Sequence, residues 1–490
     1  MQSLFARIGA LQILGALTFV ARTKLSALIL GPAGIGLVSV IDQFVQLVMQ
    51  LSAFAIPYAA IKVLSKTHSE SAKAFGAAYA SLLRLLLMLG ATGAALGVAS
   101  ILIRPGWLGV SLAAHTPLVV MGLVAVPAMI LHGFFRNVPA AAMRPLTSAV
   151  WDVITAAIMA GSVSLGIVLF QVPGYFAGGL VGCVAVSISY YAYIARRFGL
   201  SIVGSPSSIR GILKANPSFV ELSLTSYVIA FVTPLALFIV RMTVLDNFGA
   251  ATAGMLQAAV GISLAVNLIL NPLNGLVLTP LVNRMIGDGK KHQETVAFQK
   301  KLLLAITIVA LPPCLFPDLA VIVLYSSQFI EVADVLYWFV LGQAMMQICG
   351  VHTALMVGLD RLKAYALIMV VGAGANAALA VLLVPHYGLL GAGIATFSSA
   401  SLLTFGTFAY LWARAGFRSG FSVGLTTLLV FAGLGLAGAF VGMRPSLETP
   451  NLIAKLLVFA VAVGLMVPLS LDRNERRGLF AGLAFRQQRL

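Results

Sequence analysis

Residues 4–57 read LFARIGALQILGALTFVARTKLSALILGPAGIGLVSVIDQFVQLVMQLSAFAIP. Two apolar runs, 4–28 and 34–57, flank the pair Gly31-Pro32, which marks a turn. A bilayer core takes about 20 predominantly apolar residues per helix, so the stretch reads as two membrane-spanning helices joined by a tight reversal. Arg7 precedes the first run, as in a secretory signal. The run leads straight into Arg22 and Lys24 with no small-residue cleavage site, so it reads as a span.

The pattern continues along the chain. Of 490 residues, 60% are hydrophobic and 9% charged, where a soluble domain carries about 25% charged residues. So few charges exclude a soluble enzyme, a disordered scaffold and a single-anchor receptor. Fourteen apolar segments can be marked off, at 4–28, 34–57, 76–101, 117–137, 147–169, 174–195, 218–241, 252–280, 302–324, 333–357, 363–384, 388–412, 422–442 and 452–470. The expected fold class is an all-α polytopic membrane protein of about fourteen helices. Pro173-Gly174 and Arg444-Pro445 mark further turns, and Pro312-Pro313 and Pro317 interrupt the run from 302 to 357.

The basic residues orient this division. With the N-terminus in the cytoplasm, 23 of the 31 Lys and Arg fall on inner connections and the C-terminus. Three, Arg104, Arg241 and Arg444, fall on the outer side. That asymmetry is the positive-inside pattern. It assigns the net charge of +17 to the cytoplasmic face beside anionic lipid, not to nucleic acid.

The longest inner connection suggests two lobes. The expected layout is an N-terminal lobe at 1–197, a linker at 198–217, a C-terminal lobe at 218–414, two appended helices at 415–470 and a basic cytoplasmic tail at 471–490. A weak internal echo fits parallel repeats. Arg22 stands nine residues before Gly31, followed by Pro32-Ala33-Gly34-Ile35-Gly36. Arg241 stands eight before Gly249, followed by Ala250-Ala251-Thr252-Ala253-Gly254.

Polar groups inside spans each need a reason to be in hydrocarbon. Only 14 residues separate Arg7 from Arg22, about 21 Å of helix, so the first span continues past Arg22 and Lys24. They either snorkel to the outer interface or line a water-filled cavity. Gln43, Gln46 and Gln50 share one helical face, with Pro57 on its extension. Asp42 sits about 12 Å deep and calls for a cation or a proton; Arg22 or Lys24 is the expected partner, and ion coupling is the functional alternative. Asn267, Asn271 and Asn274 form a second polar face, broken by Pro272. Arg241 has Asp246 close by, as an outer ion pair or as part of a cavity.

No HExxH, paired CxxC, P-loop or GxSxG is present, so neither a cofactor nor a catalytic metal is expected. Cys183, Cys314 and Cys349 lie far apart in apolar runs and read as buried thiols. His132 and His352, inside spans, read as packed or hydrogen-bonded.

The stretch from Lys24 to Lys62 resembles the start of bacterial polysaccharide flippases. It carries Leu30-Gly31-Pro32-Ala33-Gly34-Ile35-Gly36-Leu37, Gln43 and Lys62. The likeness is to translocases of the O-antigen and enterobacterial common antigen type, in the multidrug/oligosaccharidyl-lipid/polysaccharide exporter superfamily. The motif covers about the first 60 residues; the rest agrees in layout. The resemblance implies two six-helix lobes about a central cavity, in the bacterial inner membrane. It implies a polyprenyl-pyrophosphate-linked oligosaccharide as substrate, with membrane lipids and a glycan polymerase or assembly complex as further partners. Arg22, Lys24 and Arg241 would then hold the pyrophosphate. Asp42, Gln43, Gln46, Gln50, Asn267, Asn271 and Asn274 would line the sugar path. The alternative is a cation-coupled antiporter for drugs or small metabolites, with Asp42 as the proton site.

Overall fold

The computed structural model describes residues 2–200, 202, 217–273, 292–415 and 448–471. Among them the chain is helical, and nine helices are long and apolar enough to cross a membrane. The protein is a multi-pass membrane helical bundle.

Four of those nine are too long to be single spans. Gly9–Ala53, Leu146–Phe198, Ser223–Asn267 and Leu362–Arg414 have 45, 53, 45 and 53 residues. At 1.5 Å per residue each would measure about 70–80 Å, more than twice the roughly 30 Å hydrocarbon core. Each contains one residue with non-helical backbone. In α1 (Gln2–Ala53) it is Gly31, φ 61°. In α7 (Pro145–Phe198) it is Gln171, φ 53°. In α8 (Pro217–Leu273) it is Gly249, φ 81°. In α12 (Leu362–Ala415) it is Gly388, φ 55°.

At these residues the chain folds back. In α7, Trp151 stacks on Tyr190 with ring centroids 4.3 Å apart, and Gly166 backs directly onto Gly174. In α12, Gly372 faces Leu403 and Gly406 faces Ile368. Such pairs, symmetric about the break, meet only when the halves are antiparallel. Divided at these four breaks, the nine long helices of the described residues make thirteen segments. The expected segment at 422–442 lies outside them. All four reversals fall at connections that the basic residues place on the outer side. A left-handed residue with proline one or two positions later stops one helix and starts the next. Gly31-Pro32 was expected in that role. In α7 the reversal is at Gln171, two residues before the expected Pro173.

Two expected boundaries differ. The second span stops at Ala53, where Phe54 (φ 48°) and Ala55 (φ 52°) take the left-handed conformation. A separate helix, α2 (Ile56–Glu70), then follows in place of an open connection. Its Ala59, Ala60, Val63 and Leu64 are buried, which gives it an apolar face beneath Lys62 and Lys66. The span expected at 117–137 is two helices, α5 (Thr116–Val124) and α6 (Val126–Ala141), with the break one residue before Val126-Pro127.

The remaining elements are α3 (Ala72–Ile103), the short α4 (Val110–Ala113), α9 (His292–Leu315), α10 (Pro317–Leu324), α11 (Leu336–Gly358) and α13 (Thr449–Ser470). The chain divides into two compact units. The first holds Met1–Gln257 with Ala380–Pro385, the second Ala258–Leu379 with His386–Leu490. In the first, α1 packs chiefly on α7, and α6 fills the space between α2, α3 and α7. Tyr79, Phe134 and Tyr190 are fully buried there. In the second, α9 packs against α11 and α13.

Candidate functional site

The polar residues of α1 meet those of α7 and α8 inside the first unit. The hinge at Gly31 folds the two halves of α1 together, so Arg22 and Asp42 stand at similar depths on neighbouring segments. Asp42 Oδ2 accepts a hydrogen bond of 2.6 Å from Tyr175 Oη. That length belongs to the short O–H···O⁻ range. Arg22 and Arg241 both act electrostatically on Asp42. The Arg22 guanidinium lies over the Phe19 ring, 5.2 Å from its centroid.

Arg241 is anchored across the fold: its Nη1 donates to the Ser39 carbonyl at 2.6 Å. Below it, Gln43 Nε2 donates to the Pro234 carbonyl at 3.2 Å, and Phe44 tilts against Phe238 with centroids 5.7 Å apart. Lower still, Ser223 Oγ donates to the Phe54 carbonyl at 2.8 Å, and Phe54 stacks on Tyr227 at 5.0 Å. The second half of α1 and the first half of α8 thus run antiparallel from end to end. Arg241 and Gln43 use backbone carbonyls along that seam as acceptors.

Several expectations change. The direct partner expected for Asp42 was Arg22 or Lys24; the bond instead comes from Tyr175, with Arg22 acting through its field. Arg22 is occupied by Phe19, and a phenol four residues past the reversal at Gln171 reaches the carboxylate first. Asp246 accepts from Ser111 Oγ at 3.1 Å. The three glutamines share a helical face but not an environment: Gln43 is buried, Gln50 half-buried and Gln46 exposed. Lys24 is half-exposed. Sequence reasoning missed Tyr175. An aromatic residue near a span end reads as an interfacial anchor, and only the fold turns this one inward.

The second unit has its own polar network. Asn267 Nδ2 donates to Gln343 Oε1 at 2.6 Å, and Gln347 Nε2 donates to Asn267 Oδ1. Gln343 and Gln347 are one turn apart on α11, so both face the same asparagine. The side chain of Asn271, and all of Asn274, lie outside the described residues. His352 and Thr407 share a hydrogen bond of 3.2 Å, and His132 shares one with Thr155. Both histidines are thus bonded within the bundle. Lys455 is fully buried, with Nζ 5.6 Å from the Phe316 ring centroid.

No family model matches the chain, and no curated protein does. Solved structures do. A structure of the lipid II flippase MurJ in an inward closed conformation has TM-score 0.68 and 12% identity, covering 95% of this chain and 98% of that one. An inward-facing multidrug resistance MATE family transporter of the MOP superfamily has TM-score 0.64 and 16% identity, covering 85% and 94%. A MOP superfamily transporter from Pyrococcus furiosus, whose reverse polarity of binding pocket suggests a different function, has TM-score 0.62 and 15% identity, covering 84% and 95%. Most of the other similar structures are of MATE. At these identities the likeness is one of fold: the chain has the fold shared by MATE and MurJ in the MOP superfamily.

Proposed function

We propose that the protein is an alternating-access transporter of the bacterial inner membrane that carries an anionic, amphiphilic cargo. The cargo class is a polyprenyl-pyrophosphate-linked oligosaccharide, moved from the cytoplasmic to the periplasmic leaflet for surface polysaccharide synthesis. The observation that carries this reading is the charge of the first unit's cluster. Arg241 donates to the Ser39 carbonyl, three residues before Asp42, and Arg22 precedes the break at Gly31 that joins the two halves of α1, so two cations and one carboxylate belong to the first unit's polar cluster. A pyrophosphate cannot enter hydrocarbon uncompensated, and guanidinium groups offset that cost with bidentate hydrogen bonds. Amide side chains suit sugar hydroxyls, since each offers donors and an acceptor.

The second reading is a cation-coupled antiporter for drugs or small metabolites. The fold comparisons support it better by number, since most of the similar structures are of MATE. The bonded pair of Asp42 and Tyr175 also favours it, because a membrane-embedded carboxyl can carry a proton.

Deleting the gene and identifying lipid-linked intermediates by mass spectrometry, with their leaflet assigned, separates the two. Accumulation of one polyprenyl-pyrophosphate oligosaccharide on the cytoplasmic side supports the first. Unchanged lipid-linked glycans with lost resistance to organic cations overturn it. In the complementing gene, Arg22→Ala or Lys24→Ala is expected to stop translocation while the protein still inserts. If both variants translocate normally, the phosphate role is wrong.

A further inference from the structure

The last turns of α7 carry an apolar stripe and a pair of cations that the site above does not use. Val181, Val184 and Ile188 are exposed and recur at three and four residues, so they form one face of the helix. That face leads to a cleft of about 380 Å³ lined by Ser189, Ala192, Tyr193, Arg196 and Arg197. The reversal at Gln171 stands midway along α7, so the end of the helix returns to its start. There Arg144 lies over the Phe198 ring, 5.4 Å from its centroid. Phe198 meets Tyr193 edge-on at 6.4 Å, and Tyr193 leans on Trp151 at 5.4 Å. Arg144, Arg196 and Arg197, all exposed, thus gather at one aromatic corner. It lies on the side that the basic residues place in the cytoplasm. Asp152, next to Trp151 in sequence, is paired with Arg136 at 2.7 Å, so its charge is already matched.

We propose that this corner of α7 binds an anionic phospholipid of the inner leaflet. Arg196 and Arg197 hold its phosphodiester, and an acyl chain lies along Val181, Val184 and Ile188. Guanidinium groups grip phosphate oxygens with paired N–H bonds, and the Ser189 and Tyr193 hydroxyls add donors. Trp and Tyr rings belong at headgroup depth, where one end is apolar and the other wet. The continuity of cleft and apolar stripe selects a lipid over a free phosphate: from Val181 to Arg197 is about 24 Å of helix, room for a chain below the headgroup. The corner is also separate from the cluster at Asp42. Twenty-one residues lie between Tyr175 and Arg196, about 32 Å along the helix. The inference does not rest on the cargo proposed above.

The test uses the full-length protein in detergent, titrated with phosphatidylglycerol and read by native mass spectrometry. Arg196→Gln with Arg197→Gln is expected to weaken binding about tenfold or more, since each basic residue near an anionic headgroup is worth about fivefold. Lys62→Gln with Lys66→Gln removes the same charge from α2 and is expected to change binding little. Equal loss in the two pairs means diffuse inner charge without a built site, and overturns the proposal. Glycerol phosphate, the headgroup without its chains, is expected not to displace the lipid; displacement would assign the cleft to free phosphate and refute a lipid site. A polyprenyl pyrophosphate that displaces phosphatidylglycerol in preference would put the cleft on the cargo's path and refute it equally. Should the glutamine variants fail to insert, the parent decides. In liposomes, a diazirine on the acyl chain of phosphatidylglycerol is expected to cross-link to residues 181–193 several times more than the same chain on phosphatidylcholine. Equal cross-linking overturns the proposal. No readout here uses transport, so the proposed function can fail while the lipid site stands.

Discussion

Tyr175→Phe removes one oxygen and keeps the ring, including its edge contact with Phe176 at 5.3 Å. What it takes from the fold is the 2.6 Å bond to Asp42. A hydrogen bond to a charged group is worth about 1.5–3 kcal/mol in soluble proteins. Inside a membrane the unfolded helices also find partners, and measured interhelical bonds average about 0.6 kcal/mol with a ceiling near 1.7. The short length and the arginines around the carboxylate put this bond near the ceiling. The expected coupling between Tyr175 and Asp42 is about 1–1.7 kcal/mol, or about 5- to 20-fold in the folded-to-unfolded ratio. The assay is a double-mutant cycle with Tyr175→Phe, Asp42→Leu and the pair, read by reversible unfolding in mixed micelles. The double variant should be less destabilised than the sum of the single ones. Additivity within about 0.3 kcal/mol, the figure for independent sites, would refute the bond and remove Tyr175 from the site.

Two further outcomes test the second unit. Asn267→Leu and Gln347→Leu are each expected to cost about 0.6–1.7 kcal/mol, and the pair less than their sum, because Gln347 donates to the same asparagine; thermal unfolding of the three variants checks this. His352→Ala is expected to cost about 2–5 kcal/mol, as for other large-to-small buried substitutions, since the ring is buried and bonded to Thr407. Cargo translocation per inserted molecule should stay unchanged, which a quantitative complementation assay measures.

Much of the fold is legible because the bilayer is a strict solvent. Charged residues at inner connections and glycine or proline at outer ones divided the chain, and reversals at Gly31 and Gly249 stand where the sequence places turns. The echo around Arg22 and Arg241 was also readable, although periodicity could not tell that Gly36 and Gly254 back onto each other's backbone. What failed to show has physical reasons. The helix α2 hides behind Lys62, Lys66 and His68, which depress its hydropathy while Ala59, Ala60, Val63 and Leu64 still bury a face. The left-handed pair Phe54 and Ala55 carries no glycine to announce it; a hydrogen bond from Ser223 and the stacked ring of Tyr227 hold Phe54 instead. At the site, Asp42 and the arginines stood out because charge in hydrocarbon is rare. Tyr175, Gln343 and Gln347 did not, since their residue types are ordinary near membrane interfaces and helix contacts. Only the packing brings them to their partners.

The proposed function takes the sign of its cargo from the same cluster. With Asp42 ionised, Arg22 and Arg241 leave it one net positive charge; with Asp42 protonated, two. A surplus unit charge at about 8 Å, with an effective dielectric near 20, changes the energy of a monovalent cargo by about 2 kcal/mol. That is about 30-fold against an organic cation and in favour of each negative charge on a phosphate. Replacing both arginines by glutamine keeps a polar hydrogen-bonding side chain at each place and turns the surplus to zero or minus one. Under the flippase reading, Arg22→Gln with Arg241→Gln should lose anionic cargo transport and handle an organic cation such as ethidium at least as well as the parent. Under the antiporter reading the parent already exports ethidium, and the double variant does so no worse. Parent vesicles that export ethidium against a gradient, while lipid-linked glycan export is unaffected by the double change, would overturn the charge argument. Parent vesicles that ignore ethidium, and lose glycan export when the arginines go, would mean that electrostatics and not fold kinship selects the cargo.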